Sequence, residues 1–252
     1  MNDPRSISKR AAARAAVAQV QPGDIVALGS GSTVSAAIEL LGAQSSLAGT
    51  LKIVAASAAS EKEATRAGLR LVPLASVDRF HLMLDGADEV APDLNLIKGG
   101  GGALFREKLL ARISDKLLIM VDDSKLVRRM GNRSPLPLEV IPFAVPVTAR
   151  LLEARSLRPR LRMAQGSERA PNPQPFVTDN GNHILDVALP ELPEDLHEFD
   201  EDLRSLPGVV ETGLFLGLTH RVYVGFPDGR VEVLKPREPV PRLFPNPTAA
   251  RL

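Results

Sequence analysis

The sequence predicts an α/β protein with a mostly parallel sheet, and a smaller α+β domain inserted before its C-terminal strands. Short apolar runs alternate with helical patterns through the first half, which is typical of a parallel sheet covered by helices on both faces. From about residue 133 the pattern changes to extended segments interrupted by prolines. Strand patterns return after residue 207, so the main domain is expected to be discontinuous in sequence.

The first half provides the elements of the predicted parallel sheet. Apolar runs of strand length predict buried strands at 24–29, 51–55, 69–73, 80–84 and 116–121. Helical patterns predict helices over 8–20, 33–41, 59–67 and 103–113. Gly68 follows the third helix, where a glycine commonly ends a helix in the left-handed conformation.

The second half predicts the inserted domain and the last strands. Prolines at 135, 137, 142 and 146 indicate an extended entry, and helices are expected at 148–155 and 195–205. Residues 176–187 predict two strands around an Asn180-Gly181 turn, and strands follow at 209–215 and 221–233 with a turn at Asp228-Gly229. We therefore expect a main domain of 1–132 and 207–235, a small domain of 133–206, and a flexible proline-rich tail of 236–252.

Composition excludes several classes of function. The chain has 252 residues, of which 44% are hydrophobic and 24% are charged, as in ordinary globular proteins. Its 31 basic and 30 acidic side chains give no bulk attraction to nucleic acid or to a membrane. There is no cysteine, which excludes disulfides, thiolate metal sites and cysteine nucleophiles. The four histidines are widely spaced, so no histidine metal site is predicted. No secretory signal pattern opens the chain, so a cytoplasmic location is expected.

Residues 85–107 form the most informative segment. Asp85-Gly86-Ala87-Asp88-Glu89 is followed by Lys98, then by the glycine run Gly99–Gly102, and then by Glu107. Four consecutive glycines lose much backbone entropy on ordering, and close approach of backbone amides to a ligand can offset that loss. Carboxylates, a lysine and amides can together move protons and bind an oxyanion.

Glu107 is the strongest candidate in this segment. Its helical neighbours at three and four residues are Ala103, Leu104, Leu110 and Ala111, and none of them can pair with a carboxylate. The basic residues of the same helix fall outside the arc that Glu107 shares with these apolar residues; they are Arg106, Lys108 and Arg112. Glu107 either lies at the edge of the packed face or serves a ligand as a general base. The adjacent glycine run favours the second interpretation.

Each of the other candidates has a structural alternative. Asp85 and Asp88 either form a turn or add to a polar site, and Lys98 is either a surface lysine or a cation beside the glycine run. The loop Gly29–Thr33, which follows a strand and begins a helix, either binds a phosphate or simply turns the chain. It is neither a Walker sequence nor a dinucleotide fingerprint. Asp122 to Lys125 is either a helix cap or a second phosphate ligand.

These residues make the chain resemble the A type of ribose-5-phosphate isomerase. The resemblance runs in family order over roughly residues 8–235, and its matching segments are 29–34, 85–90, 94–108, 123–125, 135–143, 177–182 and 207–215. Ser30 replaces the family's usual threonine and keeps the hydroxyl. The stretch 55–57 has fewer hydroxyl groups than the family pattern, so the resemblance assigns no polar contact to it.

The resemblance implies a Rossmann-like sheet and the interconversion of ribose 5-phosphate and ribulose 5-phosphate through a cis-enediolate, without metal or cofactor. Glu107 would be the base, Asp85 would assist ring opening with Asp88 nearby, and Lys98 with the Gly99–Gly101 amides would hold the developing oxyanion. A homodimer or homotetramer is implied. The substrate-binding residues would be Ser30, Gly31, Ser32, Thr33, Gly86, Ala87, Gly99, Gly100, Gly101 and Lys125, together with Lys9 at the phosphate.

Two other functions stay open. A sugar-phosphate-sensing domain of a transcription regulator would use the same phosphate loop, but only about twenty residues precede the first predicted strand, too few for a helix-turn-helix. An amino-sugar-phosphate deaminase would require a histidine relay near the acids, and His81 lies on the preceding predicted strand.

Overall fold

The computed structural model describes residues 3–166, 172–189, 193–238 and 240. They fall into two compact units. Unit 1 comprises Met1–Gly86, Arg106–Ser124 and Gly217–Leu252, and unit 2 comprises Ala87–Phe105 and Lys125–Leu216. The domain boundaries expected at residues 133 and 206 stay a prediction. Most of the predicted flexible tail, residues 239 and 241–252, lies outside the described residues.

The helices are, in chain order, α1 (Pro4–Val17), α2 (Ser32–Gly42), α3 (Ser45–Ala48), α4 (Ala58–Arg66), α5 (Leu104–Arg112), α6 (Val145–Glu153) and α7 (Leu196–Ser205). The strands are β1 (Ile25–Leu28), β2 (Lys52–Ala55), β3 (Leu82–Asp85), β4 (Glu89–Val90), β5 (Leu96–Ile97), β6 (Leu117–Asp122), β7 (Leu136–Val140), β8 (Arg158–Leu161), β9 (His183–Ala188), β10 (Val209–Thr212), β11 (Leu214–Phe215), β12 (Thr219–Gly225) and β13 (Val231–Leu234).

Unit 1 contains the predicted parallel sheet. Its six strands follow the order β13-β12-β6-β3-β1-β2, and every pair is parallel except the hairpin of β12 and β13. Alternate residues of the central strands point to opposite faces, and both sets are buried, as Leu84 with Met83 and Leu118 with Ile119 illustrate. The mostly parallel α/β fold is therefore confirmed.

Small residues let helix α1 pack closely on this sheet. Asp3 caps the helix by accepting from the Arg5 N–H, and Pro4 occupies its first turn, where a missing N–H costs nothing. Ala12 and Ala16 are fully buried within the core of unit 1. A β-carbon at Gly225 of β12 would overlap the backbone of Ser8, so this strand requires glycine at the contact.

Unit 2 contains two antiparallel sheets. A four-stranded sheet has the order β10-β7-β9-β8, and a three-stranded sheet has the order β11-β5-β4. Helix α6 packs on β8 and β9, and α7 packs on β10. The core of this unit is formed mainly by aliphatic side chains, including Leu138, Leu185 and Leu203. Unit 2 therefore combines antiparallel sheets with helices.

Several predicted elements are wrong in detail. Residues 69–73 form no strand, since only an isolated parallel bridge joins Ile53 to Leu71 and Pro73 then lacks an N–H. The segment 176–179 does not pair with the strand that follows it; β9 pairs instead with β7 and β8. The turn at residues 178–182 is present, because the Thr178 N–H bonds to the Asn182 carbonyl and the Gly181 N–H to the Thr178 carbonyl.

The bounds of one helix differ from the prediction, and one strand is present that was predicted only as an extended segment. Helix α1 begins at Pro4 and ends at Val17, rather than covering 8–20. The extended entry of the second half contains a paired strand, β7, despite Pro137. Pairing of β7 with β10 ends at Leu138, so the missing N–H of Pro137 breaks no bond there, and the Pro137 carbonyl accepts from the Gly213 N–H at 2.7 Å. Across the described ranges, no helix is both long and apolar enough to cross a membrane.

Candidate active site

Asp85 lies at the carboxyl end of β3, not in a loop as predicted. Its side chain is fully buried, and its Oδ1 accepts from the Gly86 N–H at 2.7 Å. A β-carbon at Gly29 would overlap this carboxylate, so the end of β1 must be glycine for Asp85 to occupy its place. Ligands in open α/β sheets bind beyond the carboxyl ends of strands, and Asp85 and the Gly29–Thr33 loop meet at this edge of unit 1.

The start of helix α2, three residues after Gly29, provides amide donors. Gly31 precedes the helix with φ +100°, a conformation that favours glycine, and no side chain within the described residues caps the first turn. The first N–H groups of a helix without a side-chain cap suit a phosphate. Lys9 of α1 donates to Ser32 Oγ at 3.0 Å, so a cation also lies at this loop. Thr33 is buried and Ser30 is half-buried.

A chain of hydrogen-bonded hydroxyl groups supports the Gly29–Thr33 loop. Ser30 Oγ lies 3.1 Å from Ser57 Oγ, and Ser57 Oγ donates to Ser60 Oγ at 3.1 Å. Ser60 Oγ in turn donates to the Gly29 carbonyl at 2.7 Å. Ser57 therefore makes polar contacts, although the sequence around it has fewer hydroxyl groups than the family pattern. Ser57 also caps α4, which explains why both serines are buried.

Glu107 lies on α5 with only 4% of its surface exposed. Its neighbours Leu104, Leu110 and Ala111 are buried, as the helical spacing predicted. Lys108 is buried too, at 1% exposed, whereas the sequence placed it outside the packed arc. The helix is therefore buried on more than one face, and its most exposed hydrophobic residue is Leu109.

In unit 2, Asp88 holds the glycine run. Its Oδ2 accepts from the Gly100 N–H at 2.7 Å, while its own N–H donates to the Ile97 carbonyl at 2.9 Å. A β-carbon at Gly100 would lie 2.7 Å from Asp88 Oδ1, which is too close for any other residue to fit without movement. Gly99 has φ +108°, and Gly101 is exposed. The carboxylate thus anchors the run rather than only forming a turn.

Lys98 is a buried lysine rather than a surface one. It is 3% exposed, its N–H donates to the Gly213 carbonyl at 2.9 Å, and its Nζ lies 5.3 Å from the centre of the Phe215 ring. An aromatic face attracts an ammonium at this separation. A cation therefore lies directly beside the glycine run in sequence and within the same unit.

Arg162 contacts the glycine run and was missed by the sequence analysis. It donates through Nη1 to the carbonyls of Gly99 at 2.8 Å and Gly100 at 3.1 Å, and it forms a two-point ion pair with Asp186. Arg162 follows β8 in a region rich in arginine, and nothing in the local pattern distinguishes it from Arg160. Only the pairing of β8 with β9 brings it to Asp186.

The remaining predicted residues are placed as follows. Gly86 and Ala87 are half-buried at the end of β3. Lys125 is half-buried at the end of a 3₁₀ turn (Asp123–Lys125), before which the Asp122 carboxylate accepts from the Ser124 N–H at 3.1 Å. The Asp122 carboxylate therefore caps a short turn, and a role of Lys125 at a phosphate stays a prediction.

His81 does not accompany Asp85. It precedes β3, and its Nδ1 accepts from the Ile25 N–H at 2.9 Å, at the amino end of the sheet. Four residues of extended chain separate it from Asp85, or roughly 13 Å at about 3.3 Å per residue. A histidine relay at the acids is therefore not formed by His81. Within the described ranges, no three histidine or carboxylate side chains come together to hold a metal ion.

The sequence profile of ribose 5-phosphate isomerase A (phosphoriboisomerase A) matches residues 52–229. The chain belongs to the ribose-5-phosphate isomerase A family. The profile match includes Asp85, Asp88, Lys98 and Glu107, whereas the Gly29–Thr33 loop precedes it.

Relatives in this family cover nearly the whole chain. The ribose-5-phosphate isomerase A of Deinococcus radiodurans is 43% identical over 236 residues, which are 92% of this chain and 100% of that protein. The solved structure of the Methanocaldococcus jannaschii enzyme has a TM-score of 0.82 at 35% identity and covers 90% of this chain and 97% of its own. A ribose-5-phosphate isomerase solved in complex with phospho-erythronic acid has a TM-score of 0.85 at 33% identity, covering 93% of this chain and 100% of its own.

Proposed function

We propose that this chain interconverts D-ribose 5-phosphate and D-ribulose 5-phosphate. The observation that carries the proposal is Glu107, a carboxylate 4% exposed on an apolar helix face, within a family whose members are named for this isomerisation. A buried carboxylate needs a strong reason to be retained, since burial of a charge is costly. A positioned base is such a reason.

The proposed reaction moves one proton between adjacent carbons. Glu107 takes the proton from C2 of the open-chain aldose, the C2–H electron pair becomes the C1–C2 double bond, and the C1 oxygen gains the negative charge. Return of the proton to C1, with transfer of the O2 proton to O1, gives the ketose. Asp85 assists opening of the furanose ring before this step, and Asp88 is the second carboxylate proposed to take part.

Two further groups of donors bind the two negatively charged parts of the reacting sugar. Lys98 and the amides of Gly99 and Gly101 stabilise the oxyanion, since donors aimed at developing charge accelerate such a reaction most. The Gly100 amide, which the sequence analysis included with them, donates to Asp88 instead. Ser30, Gly31, Ser32 and Thr33 bind the phosphate, with Lys125 and Lys9 adding positive charge. Lys9 supports this role because it already bonds to Ser32. Gly86 and Ala87 line the substrate beside Asp85.

The chain is further proposed to act in the cytoplasm as a homodimer or homotetramer, without a metal or an organic cofactor. Light scattering tests the assembly, and a monomer would contradict it. Chelation followed by dialysis tests the need for a metal or a cofactor. We expect full activity after this treatment, because every proposed catalytic group belongs to the chain.

The central test is a pair of glutamate variants assayed with ribose 5-phosphate. Glu107→Gln should lower kcat by about 10²–10⁴ and leave KM close to the wild-type value, because the amide binds but cannot take a proton. It should also stop uptake of deuterium from heavy water into the sugar. Glu201→Gln, an exposed change on α7, is the matched control and should behave as wild type. Turnover near normal in Glu107→Gln would remove Glu107 as the base.

A further inference from the structure

Arg162 is fully engaged by one carboxylate and two consecutive peptide groups. Nε lies 2.8 Å from Asp186 Oδ2, and Nη2 bonds to Asp186 Oδ1. Nη1 donates to the carbonyls of Gly99 and Gly100. The side chains of Arg162 and Asp186 are 15% and 20% exposed, so water competes weakly for these bonds.

This contact fixes which way the glycine amides point. In a trans peptide the carbonyl of one residue and the N–H of the next point in opposite directions. Because Arg162 binds the carbonyls of Gly99 and Gly100, the N–H groups of Gly100 and Gly101 are directed away from it. The Gly100 N–H indeed reaches Asp88 at 2.7 Å on the other side. The run is therefore held between a cation at its carbonyls and an anion at its amide.

Glycine residues need such an external anchor. They have no side chains to pack, and they populate both signs of φ, so an unanchored run has many backbone states. Gly99 and Gly102 at its ends both have positive φ, and the Phe176 ring fills the space where Gly102 lacks a β-carbon. Arg162 lies over the same ring, 5.9 Å from its centre. A cation at a carbonyl also polarises the peptide and strengthens its N–H as a donor.

We propose that Arg162, held by Asp186, is a positioning residue that orients and polarises the Gly101 amide for the oxyanion of the reaction, while the Gly100 amide is held by Asp88. This inference rests on the proposed function, in which the Gly101 amide stabilises the developing charge. It predicts that loss of Arg162 affects the transition state much more than substrate binding.

The kinetic test separates kcat from KM. Arg162→Ala should lower kcat about ten- to a hundredfold, because misplaced donors lose most of their effect on the transition state. KM for ribose 5-phosphate should change by less than about threefold, since the proposed phosphate donors are elsewhere in the chain. Added guanidinium, below concentrations that unfold the protein, should restore part of kcat. Arg162→Lys should recover little, because one ammonium cannot bind Asp186 and two carbonyls together.

The matched control is Arg160→Ala. Arg160 is an exposed residue of β8 that pairs with Asp186 in the strand register, and its replacement removes the same charge. Both kcat and KM should stay unchanged. Should Arg162→Ala fail to fold, Asp186→Asn retains the arginine and should show the same loss of kcat to a smaller extent.

A second measurement is independent of turnover. Hydrogen exchange at the amides of residues 100–102 should be faster in Arg162→Ala and slowed again by guanidinium, while Arg160→Ala matches wild type. Normal kcat together with unchanged exchange would overturn the inference. Faster exchange with normal kcat would reduce Arg162 to a structural role. A wild-type protein without isomerase activity, with exchange changed as expected, would instead contradict the proposed function.

Discussion

Two glycine-bearing loops of this chain are held by different chemistry. The Gly29–Thr33 loop in unit 1, which is the proposed phosphate loop, is supported by neutral hydroxyl groups, which end in the bond from Ser60 to the Gly29 carbonyl. The glycine run Gly99–Gly102 in unit 2 is held by full charges, with Asp88 at an amide and Arg162 at two carbonyls. Charge-assisted bonds are roughly twice as strong as neutral ones.

This difference matches the proposed work of the two loops. A phosphate carries its charge before, during and after the reaction, so its donors mainly contribute to binding. The oxyanion exists only near the transition state, so its donors must be oriented in advance. Strong anchoring is therefore expected at the glycine run, and changes in the two loops should affect different kinetic constants.

The largest expected effect on stability comes from a substitution at the last glycine of the run. In Gly102→Ala the new methyl group would overlap the Phe176 ring at a positive φ of 83°. The free energy of unfolding should fall by about 2–5 kcal/mol, combining the strain of the left-handed conformation with overpacking. Urea denaturation measures this loss, and activity should fall with it.

The control for that change is the preceding residue. A β-carbon at Gly101 meets no described atom within 4 Å, and its φ is not in the positive range. Gly101→Ala should therefore change stability by less than about 1 kcal/mol. Equal losses in the two variants would show that the run tolerates no side chain anywhere, rather than being fixed at defined points.

An intermediate effect is expected in the phosphate loop. Ser60→Ala removes the donor to the Gly29 carbonyl and the acceptor for Ser57, a loss of about 0.5–1.5 kcal/mol. KM for ribose 5-phosphate should rise about two- to tenfold while kcat stays near wild type, the reverse of Arg162→Ala. Thr65→Ala removes an exposed hydroxyl from the same helix and should change neither constant. A drop in kcat without a rise in KM for Ser60→Ala would break the contrast between the loops.

The smallest effect is expected at an ion pair that anchors neither loop. Arg155 and Asp202 pair at 2.8 Å, with 36% and 45% of their side chains exposed, so Arg155→Ala should cost less than about 1 kcal/mol and leave kcat unchanged. The hydrogen bond from Arg155 lowers the pKa of the Asp202 carboxyl below its ordinary 3.8. The pair's stabilisation is thus complete above that ordinary value and is lost as the pH falls through the lowered pKa.

Denaturation of Arg155→Ala and wild type at several pH values checks this prediction. The difference should be constant near neutrality, vanish in acid, and shrink with added salt. Arg162→Ala should be denatured in the same series. If Arg155→Ala lowers the free energy of unfolding as much as Arg162→Ala does, the difference in solvent exposure does not distinguish the two arginine ion pairs.

The sequence anticipated much of the candidate site because its patterns are local. The spacing of Leu104, Leu110 and Ala111 around Glu107 indicated a buried carboxylate, and that burial is observed. The strand–loop–helix pattern at Gly29 indicated a loop at a strand end. Local patterns misjudged Lys108, whose burial depends on surroundings outside its own helix. They also gave no sign of the hydrogen bonds of Ser57, because its partner Ser30 is distant in sequence.

By itself, the order of residues determined the alternation of strands and helices, the parallel sheet, and the chemical types present at the site, because hydrophobic period and glycine placement act over a few residues. Only the folded chain decided that Asp186 and Arg162 meet, and that this arginine binds the carbonyls of Gly99 and Gly100. The contact with the two glycines joins segments more than 60 residues apart, and the contact with Asp186 joins residues 24 apart. They depend on strand register, which the packing of the sheet as a whole determines.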